Sequence, residues 1–342
     1  MSRNVSPNLG RIVIDWLELS FQNNSVFKED IIKLESATTW RGYRIVPTRS
    51  YGYEYAFDVY WSFGDTAPFA QIKFNMHAKQ KDYHIVVSIN NRIFYGPRQD
   101  FTDALLIGEK LGLVYNNIRR IDLAIDLPKD ITRLINQYQH KKNIALRVNG
   151  KCIWGDNEDT GLTFLANGHR KRNKLNEFFL HTSNKSASIK SYDKIKEITD
   201  KRSARKYSIG YKEYILDYYN HPDKLYRLEV SARGRFIYDF IQRKGISSIV
   251  MYRMLCDEVW LTSLFHDWLS SILSFSHFSI SKTGQYRSRG GVSWSVILGV
   301  PCITSINYTQ YAIDKGISPV SNDEDIHCCS HELFSTGQFV FA

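Results

Sequence analysis

The sequence has few cysteines, and they lack the spacings that build a zinc site or a disulfide framework. The five cysteines are Cys152, Cys256, Cys302, Cys328 and Cys329. No two of them are separated by two residues, which excludes the usual C-x-x-C zinc and redox motifs. Since an odd number of cysteines also argues against a set of disulfides, we expect a reducing, cytoplasmic compartment.

Several other common signatures are missing as well. There is no G-x-x-x-x-G-K-[ST] loop, which excludes an ATPase or helicase module of the P-loop type. The first residues hold no apolar core typical of a secretory signal. The most apolar helical stretch, residues 249–273, contains Arg253, Asp257, Glu258 and Asp267. Because these charges are costly inside a bilayer, we expect no membrane span and no membrane partner.

The sequence is basic and contains a large fraction of apolar residues. The 342 residues carry a formal net charge of +10, and 43% of them are hydrophobic. The apolar fraction is that of a globular protein. The charge favours nucleic acid as a partner, because basic side chains neutralise phosphates and release counterions. Solubility is the competing explanation of the charge.

Strand and helix patterns alternate along the chain. Runs of aromatic and β-branched residues, many alternating with polar residues, predict strands at residues 12–21, 53–63, 69–76, 83–89, 118–127, 161–166, 177–182, 187–192 and 225–232. Helical spacing predicts helices at residues 101–113, 129–142, 235–244 and 247–273. This order predicts an α+β fold, with an antiparallel β-sheet catalytic core flanked by helices and a C-terminal helical segment and extension. We expect a catalytic domain at residues 1–275 and an extension of unknown role at residues 276–342.

One predicted strand, IRRIDLAIDL at residues 118–127, carries two acids inside an apolar run. Alternate side chains of a strand share a face, so Asp122 and Asp126 lie together, opposite Ile121 and Leu123. Two carboxylates on one face are suited to Mg²⁺ or Mn²⁺. The competing interpretation is an edge strand whose acids are solvated.

A second predicted strand, YRLEVSAR at residues 226–233, repeats this pattern. Glu229 shares a face with Arg227 and Arg233. Glu229 is a further candidate metal ligand, and the two arginines are candidate DNA contacts because guanidinium groups bind phosphates in a bidentate manner. A ladder of opposite charges across neighbouring strands is the alternative.

The segment ASIKSYDKIKEI, residues 187–198, places Tyr192 two residues before Lys194 at the end of a predicted strand. A phenol has a pKa near 10, and a neighbouring cation favours the phenolate form. We therefore predict Tyr192 and Lys194 to be catalytic, with Tyr192 as the nucleophile. With 21 tyrosines in the chain, a packing role is the alternative.

A basic run, NGHRKRNK at residues 167–174, lies between two predicted strands. Such a run is suited to the phosphate backbone of DNA, although many similar runs are only solvated loops. The predicted contacts are Arg170, Lys171, Arg172 and Lys174.

The order of these motifs resembles the Rep_trans family, which comprises replication initiators of rolling-circle plasmids and phages together with related conjugative relaxases. The matching segments are IDWLELSF at 14–21, RIDLAIDL at 120–127, the stretch 182–197 with its YDKIKE sequence, and YRLEVSAR at 226–233. The resemblance implies that Tyr192 is the nicking tyrosine. It also implies that Asp122, Asp126 and Glu229 are the metal-site acids.

The function implied is that of a site-specific single-strand DNA endonuclease and ligase that uses Mg²⁺ or Mn²⁺. Such an enzyme initiates rolling-circle replication through a covalent 5′-phosphotyrosine intermediate. We expect double-stranded origin DNA, nicked on one strand, as the substrate, and a host helicase and a second copy of the chain as further partners. Two alternatives stay open. One is a conjugative relaxase acting on a transfer origin with the same chemistry, and the other is a non-catalytic DNA-binding protein.

Overall fold

The computed structural model describes residues 6–319 except 78, 80–82, 140, 142, 149–150, 154–177, 183, 200–212, 284 and 301–304. Its strands are β1 Ile12–Phe21, β2 Thr38–Trp40, β3 Tyr43–Thr48, β4 Tyr55–Tyr60, β5 Ala70–Phe74, β6 Ile85–Ile89, β7 Tyr115–Leu127, β8 Ile144–Val148, β9 Lys151–Ile153, β10 Phe178–His181, β11 Ala187–Asp193, β12 Tyr226–Arg233, β13 Leu273–Ile280 and β14 Tyr286–Val292. Its α-helices are α1 Ser25–Ile31, α2 Arg98–Leu105, α3 Ile107–Lys110, α4 Ile131–Gln139, α5 Lys194–Thr199, α6 Glu213–Tyr218, α7 Gly234–Lys244, α8 Ser248–Arg253, α9 Glu258–Ile272, α10 Trp294–Leu298 and α11 Tyr308–Asp314.

The described residues form two compact units, each collected from three segments of the chain. The first unit takes residues from 1–16, 120–236 and 258–306. The second takes residues from 17–119, 237–257 and 307–342. The divisions fall inside β1 and β7, so each of these long strands contributes to both units.

In the first unit, neighbouring strands follow the order β10-β11-β12-β7-β1, and a smaller sheet has the order β14-β13-β8-β9. Helix α4 packs against β11 and β12. The hydroxyls of Thr132 on α4 and Ser191 on β11 form a hydrogen bond of 2.9 Å. Since successive side chains of a strand point to opposite faces, α4 covers the face opposite to Tyr192.

In the second unit the strand order is β1-β6-β5-β4-β3-β2, with antiparallel pairing from β1 through to β2. The buried ammonium group of Lys28 on α1 donates to the carbonyl oxygens of Asn75 at 2.7 Å and Tyr83 at 2.5 Å. It also lies 4.2 Å from the centre of the Tyr83 ring. This cation joins α1 to the chain between β5 and β6.

The antiparallel sheets and their helices confirm the predicted α+β class. Some boundaries differ from the prediction. The expected helix 247–273 is divided by a 3₁₀ turn at Met254–Cys256, and the predicted strand 161–166 lies outside the described residues. The expected boundary after residue 275 falls inside β13, and the separate roles of residues 1–275 and 276–342 stay a prediction.

Candidate active site

Three neighbouring strands of the first unit carry the predicted site residues Tyr192, Asp122, Asp126, Glu229 and Arg227 on one face. The register between β11, β12 and β7 aligns Tyr192 with Arg227 and Asp126 in one row. The next row contains Lys190, Glu229 and Ala124, and the row after it contains Ser188, Ser231 and Asp122. Ala124, the cross-strand neighbour of Glu229 on β7, has a small side chain, which leaves space for the carboxylate of Glu229.

Tyr192 and Glu229 are in direct contact. The half-buried Tyr192 donates its hydroxyl hydrogen to Glu229 Oε2 at 3.2 Å. The other oxygen, Glu229 Oε1, accepts from Lys190 Nζ at 2.9 Å and from Ser231 Oγ at 3.2 Å. The Glu229 side chain is only 5% exposed, whereas that of Lys190 is 36% exposed. A phenol, a carboxylate and an ammonium group therefore form one chain of contacts that reaches the surface at Lys190.

The surroundings of Tyr192 keep its hydroxyl protonated. Burial raises the pKa of Tyr192 well above 10, and the nearby charge of Glu229 raises it further, while Arg227 opposes both effects. A phenol with so high a pKa is a poor nucleophile unless a base removes its proton. The carboxylate of Glu229 is the acceptor already hydrogen-bonded to that proton.

Lys194, the cation predicted to assist Tyr192, is placed differently. β11 ends at Asp193 and α5 begins at Lys194, so the alternation of the strand does not continue to this residue. Lys194 Nζ lies 5.5 Å from the centre of the Tyr192 ring and pairs with Glu197 Oε2 at 2.7 Å. The cation that shares Glu229 with Tyr192 is Lys190. Sequence reasoning missed Lys190, although its position two residues before Tyr192 on the same strand was a usable signal.

Arg227 does not lie where DNA could reach it. Its side chain and that of Asp126 are both 0% exposed. Arg227 Nε donates to Asp126 Oδ1 at 2.8 Å, and Arg227 Nη1 donates to Asp15 Oδ1. The predicted phosphate contact at Arg227 is therefore corrected to a buried ion-pair role. Asp15, from the first matching motif, was not singled out by the sequence pattern. Arg233, at the exposed end of β12, stays a predicted DNA contact.

Asp122 is held by an arginine of its own strand. Arg120 Nε donates to Asp122 Oδ1 at 3.0 Å, and Arg120 Nη2 donates to Oδ2. The guanidinium also lies 5.1 Å from the centre of the Trp16 ring. Burial raises the pKa of Asp122 and the charge of Glu229 adds to that rise, while Arg120 opposes both. β7 lies between β12 and β1, so the alternative of an edge strand with solvated acids is wrong.

The three predicted metal ligands do not form a ready set of open oxygens. Asp122 is engaged by Arg120, Asp126 by Arg227, and Glu229 by Lys190 and Tyr192. Among the described residues, no group of three or more acids, histidines or cysteines is arranged to hold a metal ion. In this arrangement the acids therefore do not fit a divalent ion. The need for Mg²⁺ or Mn²⁺ stays a prediction.

The predicted basic loop cannot be compared with this site, because Arg170, Lys171, Arg172 and Lys174 lie outside the described residues. In the part of the chain that the structure describes, no helix is long and apolar enough to cross a membrane.

Comparison with known proteins gives one structural likeness. A solved structure described as "Structure of Rolling Circle Replication Initiator Protein from Geobacillus stearothermophilus" is similar to this chain, with 12% sequence identity and a TM-score of 0.38. The likeness covers 91% of this chain and 98% of that protein. A TM-score this low does not establish a shared fold. No protein-family model matches the chain, and no curated protein matches it.

Proposed function

We propose that this protein is a DNA nicking and joining enzyme that uses Tyr192 as its nucleophile and initiates rolling-circle replication. The observation that carries the proposal is the hydrogen bond from Tyr192 to Glu229, with Lys190 on the other oxygen of the carboxylate. A nucleophile, a base and a group that orients the base are the parts needed to activate a weak nucleophile. The positive net charge and the order of the Rep_trans-like motifs support DNA as the substrate.

In the proposed first step, Glu229 Oε2 accepts the hydroxyl proton of Tyr192 as the phenolic oxygen attacks the scissile phosphorus. The new bond joins Tyr192 Oη to the 5′ phosphate. The bond between phosphorus and the 3′ oxygen breaks, and this oxygen leaves with the electron pair and takes a proton from water. The strand is then cut, with its 5′ end held covalently.

Joining is the reverse of this reaction. A 3′ hydroxyl gives its proton back to the solvent as its oxygen attacks the phosphotyrosine, the bond from Tyr192 Oη to phosphorus breaks, and the proton on Glu229 returns to the phenolic oxygen. Lys190 holds Glu229 by its second oxygen, so the base is oriented before the substrate arrives. No step in this scheme is assigned to a metal ion, because Asp122, Asp126 and Glu229 each pair with a cation.

The test uses supercoiled DNA that carries the origin of the host replicon, with the adduct scored on denaturing gels. Tyr192→Phe keeps the ring and removes the hydroxyl, so we expect folding without any adduct. Tyr226→Phe on the neighbouring strand is the matched control and should form the adduct normally. Glu229→Gln keeps an acceptor for the hydrogen bond but removes the base, and should slow adduct formation by about 100-fold. An adduct formed by Tyr192→Phe would show that another residue is the nucleophile.

A further inference from the structure

The hairpin of β13 and β14 belongs to the part of the chain for which the sequence offered no role. β14 is an edge strand of the smaller sheet in the first unit. Its partner β13 begins inside that sheet, where Phe275 is buried against Tyr138 and Trp294. Beyond this point the two strands continue as a ribbon, and most of its residues from His277 to Gly291 are exposed.

Basic side chains are concentrated on one face of this ribbon. The register pairs Ser279 with Arg287 and His277 with Gly290, so these positions share a face. The register shifts between His277 and Phe278, and at this irregularity Arg289 Nε donates to Ser279 Oγ at 2.9 Å. This hydrogen bond holds the second arginine on the same face as Arg287. Lys282 lies in the connecting turn and is exposed.

The charge of the ribbon is not balanced by nearby acids in the sequence. Residues 268–313 contain no aspartate or glutamate, and their lysines and arginines are Lys282, Arg287 and Arg289. None of these three forms an ion pair with a described residue. Elsewhere in this unit the arginines at the candidate site are matched by carboxylates, as with Arg120 and Arg227. Three exposed cations that form no ion pair with a described residue are complementary to a polyanion.

We propose that the ribbon of β13 and β14 is a docking surface for the backbone of duplex DNA, with Lys282, Arg287 and Arg289 as its phosphate contacts. A two-stranded β-ribbon has the width to enter the major groove. On the face of the arginines, Ser279 has a short side chain and Gly290 has none, which leaves room for phosphates to approach. This inference rests on the proposed function, because it names the duplex as the partner of the same enzyme.

The test compares two triple substitutions that remove equal charge. The ribbon variant replaces Lys282, Arg287 and Arg289 with alanine. The control variant replaces Lys33, Arg92 and Arg133, which are also exposed but lie outside the ribbon. Affinity for a short labelled duplex is measured by fluorescence anisotropy across a salt series. We expect the ribbon variant to lose about tenfold in affinity at physiological salt, and its log–log salt slope to fall by about 3. The control should keep both values.

A charge-preserving variant tests whether any loss of affinity comes from misfolding rather than from lost charge. Exchanging lysine for arginine and arginine for lysine at the three ribbon positions should retain the wild-type salt slope. Equal losses in the ribbon and control variants, or an unchanged slope in the ribbon variant, would overturn the proposal. An equal loss of affinity for single-stranded DNA would overturn the duplex as the partner. Because binding is measured without cleavage, loss of nicking by Tyr192→Phe and loss of binding by the ribbon variant are separate results.

Discussion

Arg227 and Asp126 form a buried ion pair across two neighbouring strands, with Arg227 Nε donating to Asp126 Oδ1 at 2.8 Å. The pair stands in the same row of the sheet as Tyr192. Asp15 on β1 accepts from the remaining side of the guanidinium. Arg227 therefore links three strands beside the candidate nucleophile. Its charge opposes the acids that raise the pKa of Tyr192.

Removing one partner of this pair should destabilise the fold. Asp126→Ala leaves a buried guanidinium without its main carboxylate, and we expect a loss of about 3 to 5 kcal/mol in the free energy of unfolding. The double variant Asp126→Leu, Arg227→Met removes both charges and should lose less than Asp126→Ala. Denaturant unfolding measures both. A stable Asp126→Ala protein that has lost only cleavage would instead support a role for Asp126 in the reaction.

The buried Lys28 should make the free energy of unfolding depend on pH. Burial lowers the pKa of Lys28 from 10.5 to about 8, although the charge of Glu54 opposes this shift. Between these two pH values the folded protein binds fewer protons than the unfolded chain, so this residue makes the free energy of unfolding rise with pH. Lys28→Met should lack this contribution. The measurement is the difference in unfolding free energy between wild type and Lys28→Met from pH 7 to pH 10.5, and a constant difference would contradict it.

Lys190 should matter more than Lys194 for the chemical step. Lys190→Gln removes a charged hydrogen bond from Glu229, and we expect adduct formation to slow roughly tenfold while DNA affinity changes little. Lys194→Gln breaks the ion pair between the buried Lys194 and the half-buried Glu197, and should act mainly on stability. Single-turnover adduct assays and thermal melts on both variants distinguish the two effects. The reverse pattern would return the catalytic role to Lys194.

The metal requirement can be tested at Arg120. Nicking is predicted to need Mg²⁺ or Mn²⁺, and Asp122 is a candidate ligand that accepts two hydrogen bonds from Arg120. Arg120→Met frees this carboxylate, so the variant should bind Mn²⁺ more tightly than wild type in a titration followed by electron paramagnetic resonance. Arg119→Met, on the same strand, is the control. Full nicking activity of the wild type in excess EDTA would rule out the metal requirement.

Local periodicity is enough to predict much of the first unit. The alternation in residues 118–127 and 226–233 places Asp122 with Asp126, and Glu229 with Arg227, on one face of each strand, and the register confirms this. The same reasoning missed β2, β3, β8, β9, β13 and β14. β2 has three residues and β3 contains Pro47, so neither carries a full alternating pattern, and their pairing depends on residues elsewhere in the chain.

Which residue types share a strand face follows from the sequence alone, because the side-chain period of a strand is a local property. The partners of these residues depend on the three-dimensional fold. Arg227 meets Asp15 and Asp126, and Glu229 meets Tyr192 and Lys190, because residues distant in sequence are aligned by cross-strand register. Asp122, Asp126 and Glu229, which the sequence suggested as one shared metal site, instead pair with separate cations. Register is non-local, and a single sequence does not record it.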